Sequence, residues 1–173
     1  RLYQQTNPMP QKKENPSTEL NRWWSLLSRF PVGRWIFSKL LGLMVPYTRS
    51  IKCTVLQFEP GYAEVLLYDR WRVRNHLGSV HAVALANVGE LATGLSLISG
   101  LSPHLRAILT GLDVRYTKKA RGSLVAEAKC TVPEVVSEVN HPVEATVRDS
   151  DGDTVAIVTA HWRVGRIPGP AQI

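Results

Sequence analysis

Acidic residues are missing between Glu19 and Glu59, while Arg22, Arg29, Arg34, Lys39, Arg49 and Lys52 all fall in that interval. Over the whole chain the imbalance leaves a net charge of +7. That suits anionic partners: phosphate-bearing small molecules, a membrane surface or nucleic acid. Cysteine is scarce, and Cys53 and Cys130 lie far apart in strand-like runs with no CxxC pair. This argues against a disulfide framework or a thiolate metal site and makes a reducing compartment the expectation. The histidines are dispersed, so no metal is expected from them. No GxSxG elbow occurs, which removes a serine hydrolase. No helix-turn-helix or zinc-finger spacing supports nucleic acid as the partner. The opening RLYQQTNPMPQKKENPSTEL is polar and contains proline, so no cleavable secretory signal is apparent. The Arg-rich, acid-poor region that follows keeps organellar targeting open, and the expected location is intracellular, cytoplasmic or mitochondrial.

What is present is enough for one domain with a sizeable core and an appendage: 173 residues, 44% of them hydrophobic. Residues 1–18 read as a disordered lead-in. Residues 19–46 read as a basic segment of two short amphipathic helices, broken at Pro31-Val32-Gly33 and closed by Pro46. Trp23, Trp24, Trp35 and Phe37 interleave with its cations. Such a segment either touches an anionic membrane surface or packs its aromatic side on the main domain with its cations in solvent; the second reading is preferred. The main domain is expected over residues 47–166, followed by a tail, 167–173.

Within that domain, residues 51–69 read as two strands joined by the turn Glu59-Pro60-Gly61. A helix is expected over 79–99, ended by Ser99-Gly100 with Pro103 beyond. Four more strand-like runs follow. In the last, Val158, Ala160, Trp162 and Val164 alternate with Thr159, His161 and Arg163, giving one apolar and one polar face. Asp149-Ser150-Asp151-Gly152-Asp153 reads as the final hairpin turn; Thr154 at its sixth position and Ala160 at its twelfth do not fit a calcium loop. The order β-β-α-β-β-β-β gives an α+β fold, an antiparallel sheet around one helix.

The informative stretch is NHLGSVHAVALANVGELATGL, residues 75–95. Its body is Ala, Val, Leu and Gly, long enough to suggest a membrane span. Glu90, Asn87 and His81 oppose that, because one central acidic residue costs about 2.5–3.5 kcal/mol in hydrocarbon. A buried core helix is the better reading. A carboxylate there suffers desolvation unless it is paired or functional. The entrance carries Asn75, Gly78, Ser79 and His81. A helix N-terminus offers unpaired N–H groups and a positive dipole end suited to an oxyanion. Gly78 permits a tight turn and close approach of a substrate. Ser79 is the expected N-cap, and His81 is an orienting or core histidine on its own merits.

N-H-x-G-S-V-H-A followed by G-E-L-A-x-G resembles the hotdog-fold thioesterases, specifically the PaaI-like group, and most closely the branch with the domain of unknown function DUF4442. The basic N-terminal helices, VPYTRSI and TGLDVRYTKKARG share that resemblance, which covers roughly residues 20–165. It implies a hotdog fold and hydrolysis of an acyl-CoA or acyl-carrier-protein thioester. Coenzyme A enters as part of the substrate, with no separate cofactor.

The resemblance also implies roles. Glu90 matches the catalytic acid of the central helix, acting on water as a general base or on the carbonyl as a nucleophile. Asn75 matches the family asparagine that orients carbonyl or water. His81-Ala82-Val83 stands where relatives have His-Gly-Gly, so the N–H of Ala82 matches the oxyanion donor while its methyl narrows the approach. Thr110 is the nearest match to a Ser or Thr that assists the acid. Lys118, Lys119 and Arg121 are placed to hold coenzyme A phosphates; the alternative for them is a solvated strand end. If residues 75–90 were all helical, Asn75 and Glu90 would stand about 20 Å apart. The resemblance supplies the answer, a homodimer or dimer of dimers in which one subunit's Asn and amide face the other's acid. A hydratase or dehydratase of acyl thioesters, and a non-catalytic acyl-thioester or lipid-binding module, are the alternative functions. Peripheral membrane contact through residues 20–46 remains a further possibility of partner.

Overall fold

The computed structural model describes residues 16–135 and 137–167. Most of the expected lead-in, 1–15, and the tail from 168 onward lie outside the described residues. The first helix, α1 (Pro16–Leu27), starts ahead of the expected position at Glu19; α2 spans Gly33–Met44 and a single turn, α3, Pro46–Arg49. Pro31 and Pro46 interrupt the helices where a missing N–H and a fixed φ make continuation unfavourable. Gly33 also lets α2 turn tightly against α1, since a Cβ there would sit 1.6 Å from the Leu27 carbonyl oxygen.

Six strands form one antiparallel sheet in the order β1-β2-β4-β5-β6-β3. They are β1 (Thr54–Glu59), β2 (Tyr62–Leu67), β3 (Leu105–Tyr116), β4 (Leu124–Lys129), β5 (Val139–Arg148) and β6 (Thr154–Arg166). The expected β-β-α-β-β-β-β order is the one observed. In β6, Val158, Ala160, Trp162 and Val164 are buried, as their alternation requires. The β5–β6 turn is closed by Asp149, whose Oδ1 accepts the N–H groups of Asp151 and Asp153.

The long helix α4 (Ala82–Gly100) lies in the curve of the sheet and touches all six strands. It is long and apolar enough to cross a membrane, yet most of it is buried against the sheet. Ala and Leu supply helix propensity and apolar surface on every side. Its seat is set by glycine: a Cβ at Gly89 would stand 2.4 Å from a Val158 methyl. Only Gly allows that approach, which fixes how deep the neighbouring Glu90 sits. The far end is pinned by Ser99, whose hydroxyl donates to the Glu59 carbonyl at 2.6 Å and accepts the Gly61 N–H at 3.1 Å.

The N-terminal helices close one sheet edge. Trp24, Phe37 and Phe58 form an edge-to-face and tilted cluster with ring centroids 5.1, 6.0 and 5.6 Å apart. The Val55 N–H on edge strand β1 donates to the Ser38 hydroxyl of α2 at 2.8 Å. Among the described residues the opposite edge, β3, has no such cover, and Ile108, Leu109, Leu112 and Tyr116 are exposed along it. A long uncovered strand of this kind is a template for pairing.

Candidate active site

The helix entrance is an organised loop. Arg74 and Val80 form an isolated antiparallel bridge. Inside it, Asn75 folds the chain around its own side chain. Its Oδ1 accepts the N–H groups of Leu77 at 3.0 Å and Ser79 at 3.1 Å, and its backbone N–H donates to the Ser79 carbonyl at 2.8 Å. Gly78 supplies the left-handed residue such a turn needs, φ +68°, with open space where a Cβ would be. Asn75 therefore has its oxygen occupied, and only its amide NH2 remains to hold a carbonyl or water. The loop is fastened outside as well. The Val80 N–H donates to the Ala120 carbonyl at 2.9 Å, and the His81 N–H to the Val73 carbonyl at 2.7 Å. Arg74 grips Asp69 with two hydrogen bonds, and this pairing holds the Asp69 carboxyl below its usual value.

The helix begins at Ala82, and its cap differs from the expectation. Ser79 is not the N-cap, because it lies before the helix and its buried hydroxyl finds no partner among the described residues. His81 caps instead, with Nδ1 accepting the Val83 N–H at 3.1 Å. In the neutral ring this leaves the proton on Nε2. The N–H groups of Val83, Ala84 and Leu85 are taken by His81, whereas that of Ala82 meets no acceptor among the described residues. It is the free donor of the first turn.

Further along, Val83, Ala86 and Glu90 follow the i, i+3, i+7 spacing of one helix stripe. Val83 is 53% exposed and Ala86 and Glu90 are half-buried, whereas Leu85, Val88, Gly89 and Leu91 are buried. The Glu90 carboxylate has no hydrogen bond or ion pair among the described residues, and burial pushes it above the ordinary value of 4.5. No Arg or Lys among the described residues pairs with it. Within the helix, Ala82 and Glu90 are about 12 Å apart along the axis. One thioester carbonyl still cannot touch both within one chain.

The remaining expected residues lie elsewhere. Thr110 sits at the β-bulge of β3, exposed, and its hydroxyl donates to the His161 carbonyl at 2.9 Å. Lys118 bridges Asp149 at 2.8 Å and Asp153 at 2.6 Å, so its charge is committed to the β5–β6 turn. Lys119 and Arg121 are exposed and without an ion pair among the described residues. Three residues were given no role at the site from sequence: Gly89, which sets the helix height; Tyr116, whose hydroxyl donates to the Ala82 carbonyl at 3.1 Å; and Asn87, which counted only against a membrane span. Asn87 is buried one turn before Glu90, and its Oδ1 has no partner among the described residues. An amide in an otherwise apolar helix was the available signal for it.

Residues 33–164 match the family model described as Domain of unknown function (DUF4442). No curated protein matches the chain. Among solved structures, a structural-genomics crystal structure shares 29% identity with a TM-score of 0.74, over 87% of this chain and 99% of that one. A Pseudomonas aeruginosa protein described as a probable thioesterase shares 19% identity with a TM-score of 0.68, over 87% and 96%. A Streptococcus mutans UA159 protein solved with acetyl-CoA bound shares 22% identity with a TM-score of 0.57, over 67% and 91%. The common architecture is the hotdog fold, α+β, with the sheet wrapped around the long helix.

Proposed function

The chain belongs to the DUF4442 family, and on that premise we propose that it is a thioesterase hydrolysing acyl thioesters of coenzyme A or of a carrier protein. One observation carries the proposal. An unpartnered carboxylate with a raised pKa lies on the open stripe of the core helix, whose first N–H is also unpaired. A carboxylate that burial makes more basic than usual is suited to taking a proton. The thioesterase description and the bound acetyl-CoA of the structural neighbours support this choice of substrate.

Glu90 takes a proton from water as the water oxygen bonds to the thioester carbon. The carbonyl electrons move onto oxygen, and the Ala82 N–H and the Asn75 NH2 donate hydrogen bonds to that oxyanion. Removing a single donor of this kind typically costs about 100- to 1,000-fold in rate. Collapse re-forms the carbonyl and expels the thiolate, which takes up a proton as free thiol. In the variant route Glu90 attacks the carbonyl itself, forming an anhydride that water then opens.

The axial gap between Ala82 and Glu90 makes the site a shared one in this reading. The uncovered β3 edge, with Ile108, Leu109, Leu112 and Tyr116 outward, is the surface for a second copy. Pairing there sets the Asn75 loop and Ala82 of one subunit opposite Glu90 of the other. Lys119 and Arg121, free of carboxylate partners, then receive the substrate phosphates. A panel of acyl-CoAs monitored for free thiol tests the function. Thiol release by the parent and not by Glu90→Gln is the expected result. Enoyl–hydroxyacyl interconversion without thiol release, or tight binding with no reaction, would replace it with a hydratase or a binding module.

A further inference from the structure

At the covered β1 edge, away from β3, the N-terminal helices and the sheet enclose a cavity of about 340 Å³. Lys39, Arg49, Lys52 and Arg70 line it, with Trp35 and Tyr68. None of these four cations forms an ion pair among the described residues. Asp69, the acid adjacent to Arg70 in sequence, is occupied by Arg74 and the Gly122 N–H. Cys53 also lines the cavity, and burial pushes its thiol up to about 11, so it supplies no counter-charge at neutral pH.

Two further features mark the wall as a poised site. Arg70 donates from Nη2 to the Ile51 carbonyl, but its Nε–H is buried without an acceptor among the described residues. Buried donors are rarely left unmet. Lys52 holds φ +47°, a left-handed conformation that a residue with a Cβ adopts only when its surroundings impose it. Trp35 on the cavity wall is 58% exposed, and in the segment joining the lining residues Gly42 and Thr48, Leu43, Met44, Val45 and Tyr47 are exposed as well, Tyr47 at 69%. Lys39 lies over the Trp35 ring at 5.1 Å. Cations beneath exposed aromatic and aliphatic side chains suit a phosphate held at a lipid surface, with the apolar rim entering the headgroup boundary.

We propose that this cavity binds the phosphate headgroup of an anionic phospholipid and docks the protein on a membrane surface through Trp35, Leu43 and Tyr47. It lies on the sheet edge opposite β3, so docking and pairing through β3 use different faces. The inference does not depend on the hydrolase reading and stands if that reading fails.

The test is sedimentation of the full chain with vesicles of phosphatidylcholine, alone or mixed with phosphatidylserine, with glycerol 3-phosphate as the water-soluble probe. The chain is expected to sediment with the mixed vesicles, to be released by salt, and to ignore phosphatidylcholine alone. Lys39→Gln and Arg49→Gln, both on the outer helices, should each weaken partitioning about fivefold. Trp35→Ser should weaken it as well, and Lys129→Gln and Arg163→Gln on exposed strand positions should not. Arg70→Gln can loosen the fold through Ile51, so the helix variants carry the decision. Equal binding to both vesicle types overturns the proposal, as does no binding to either. Equal weakening by the strand controls, or saturable glycerol 3-phosphate binding without vesicle binding, overturns it too.

Discussion

The Tyr116 hydroxyl donates to the carbonyl of Ala82 at 3.1 Å, joining the end of the uncovered edge strand to the first turn of the core helix. The strand on which a second copy would pair thus braces the residue whose N–H is free to meet an oxyanion. Tyr116→Phe removes one net hydrogen bond, a loss of about 0.5–1.5 kcal/mol. Thermal unfolding should shift little, while kcat falls more than KM changes. An unchanged kcat would show that the brace does not matter to turnover.

Ala82→Pro probes the oxyanion donor with little disturbance. Ala82 is the first helical residue, where proline is favoured and no hydrogen bond is lost. His81 before it is extended, φ −65° and ψ 138°, as a residue preceding proline must be. The variant should melt like the parent and lose about 100- to 1,000-fold in kcat. Full activity with an unchanged melt would remove the Ala82 N–H from the mechanism.

Asn75 has two functions that substitution can separate. Asn75→Ala deletes the acceptor for Leu77 and Ser79 and should destabilise by about 1–3 kcal/mol as well as inactivate. Asn75→Asp keeps an acceptor and loses the NH2 donor. It should therefore hold its melting temperature and still lose activity. An active Asn75→Asp protein would confine Asn75 to shaping the loop.

Burial raises the pKa of Glu90, so the folded state holds that proton more tightly than the unfolded chain does. The stability this contributes is present at low pH and is lost as pH rises through the folded pKa. At neutral pH Glu90→Gln should therefore melt above the parent while being inactive, and the difference should shrink on acidification. In the parent, kcat/KM should fall on the acid side with an inflection above the ordinary 4.5. A Glu90→Gln protein that melts lower at neutral pH would mean the carboxylate has a stabilising partner.

The fold was largely legible because its signals are local. Alternation in β6, Glu59-Pro60-Gly61 and the aspartate-rich turn each act within a few residues, and the order of elements along the chain followed from them, but the pairing of β2 with β4 and of β6 with β3 did not. The apolar body of α4 gave its length but not its start. Ser79 is the cap that residue type favours, but the bridge between Arg74 and Val80 holds it ahead of the helix and His81 takes the position. Long-range partners were hidden. Nothing near Lys118 in sequence reveals Asp149 and Asp153 across the turn, and nothing near Thr110 reveals the His161 carbonyl. Gly89 reads as a weak helix residue until Val158 is placed against it.

The measurement that bears most directly on a site shared between copies is complementation. Glu90→Gln and Ala82→Pro chains, each inactive alone, are unfolded, mixed in equal amounts and refolded. In a two-fold pair the mixed species carries one site with both residues intact, so about a quarter of parental activity should return. Mixtures that stay inactive although mixed dimers form, or a parent that runs as a monomer at full activity, would contradict the account.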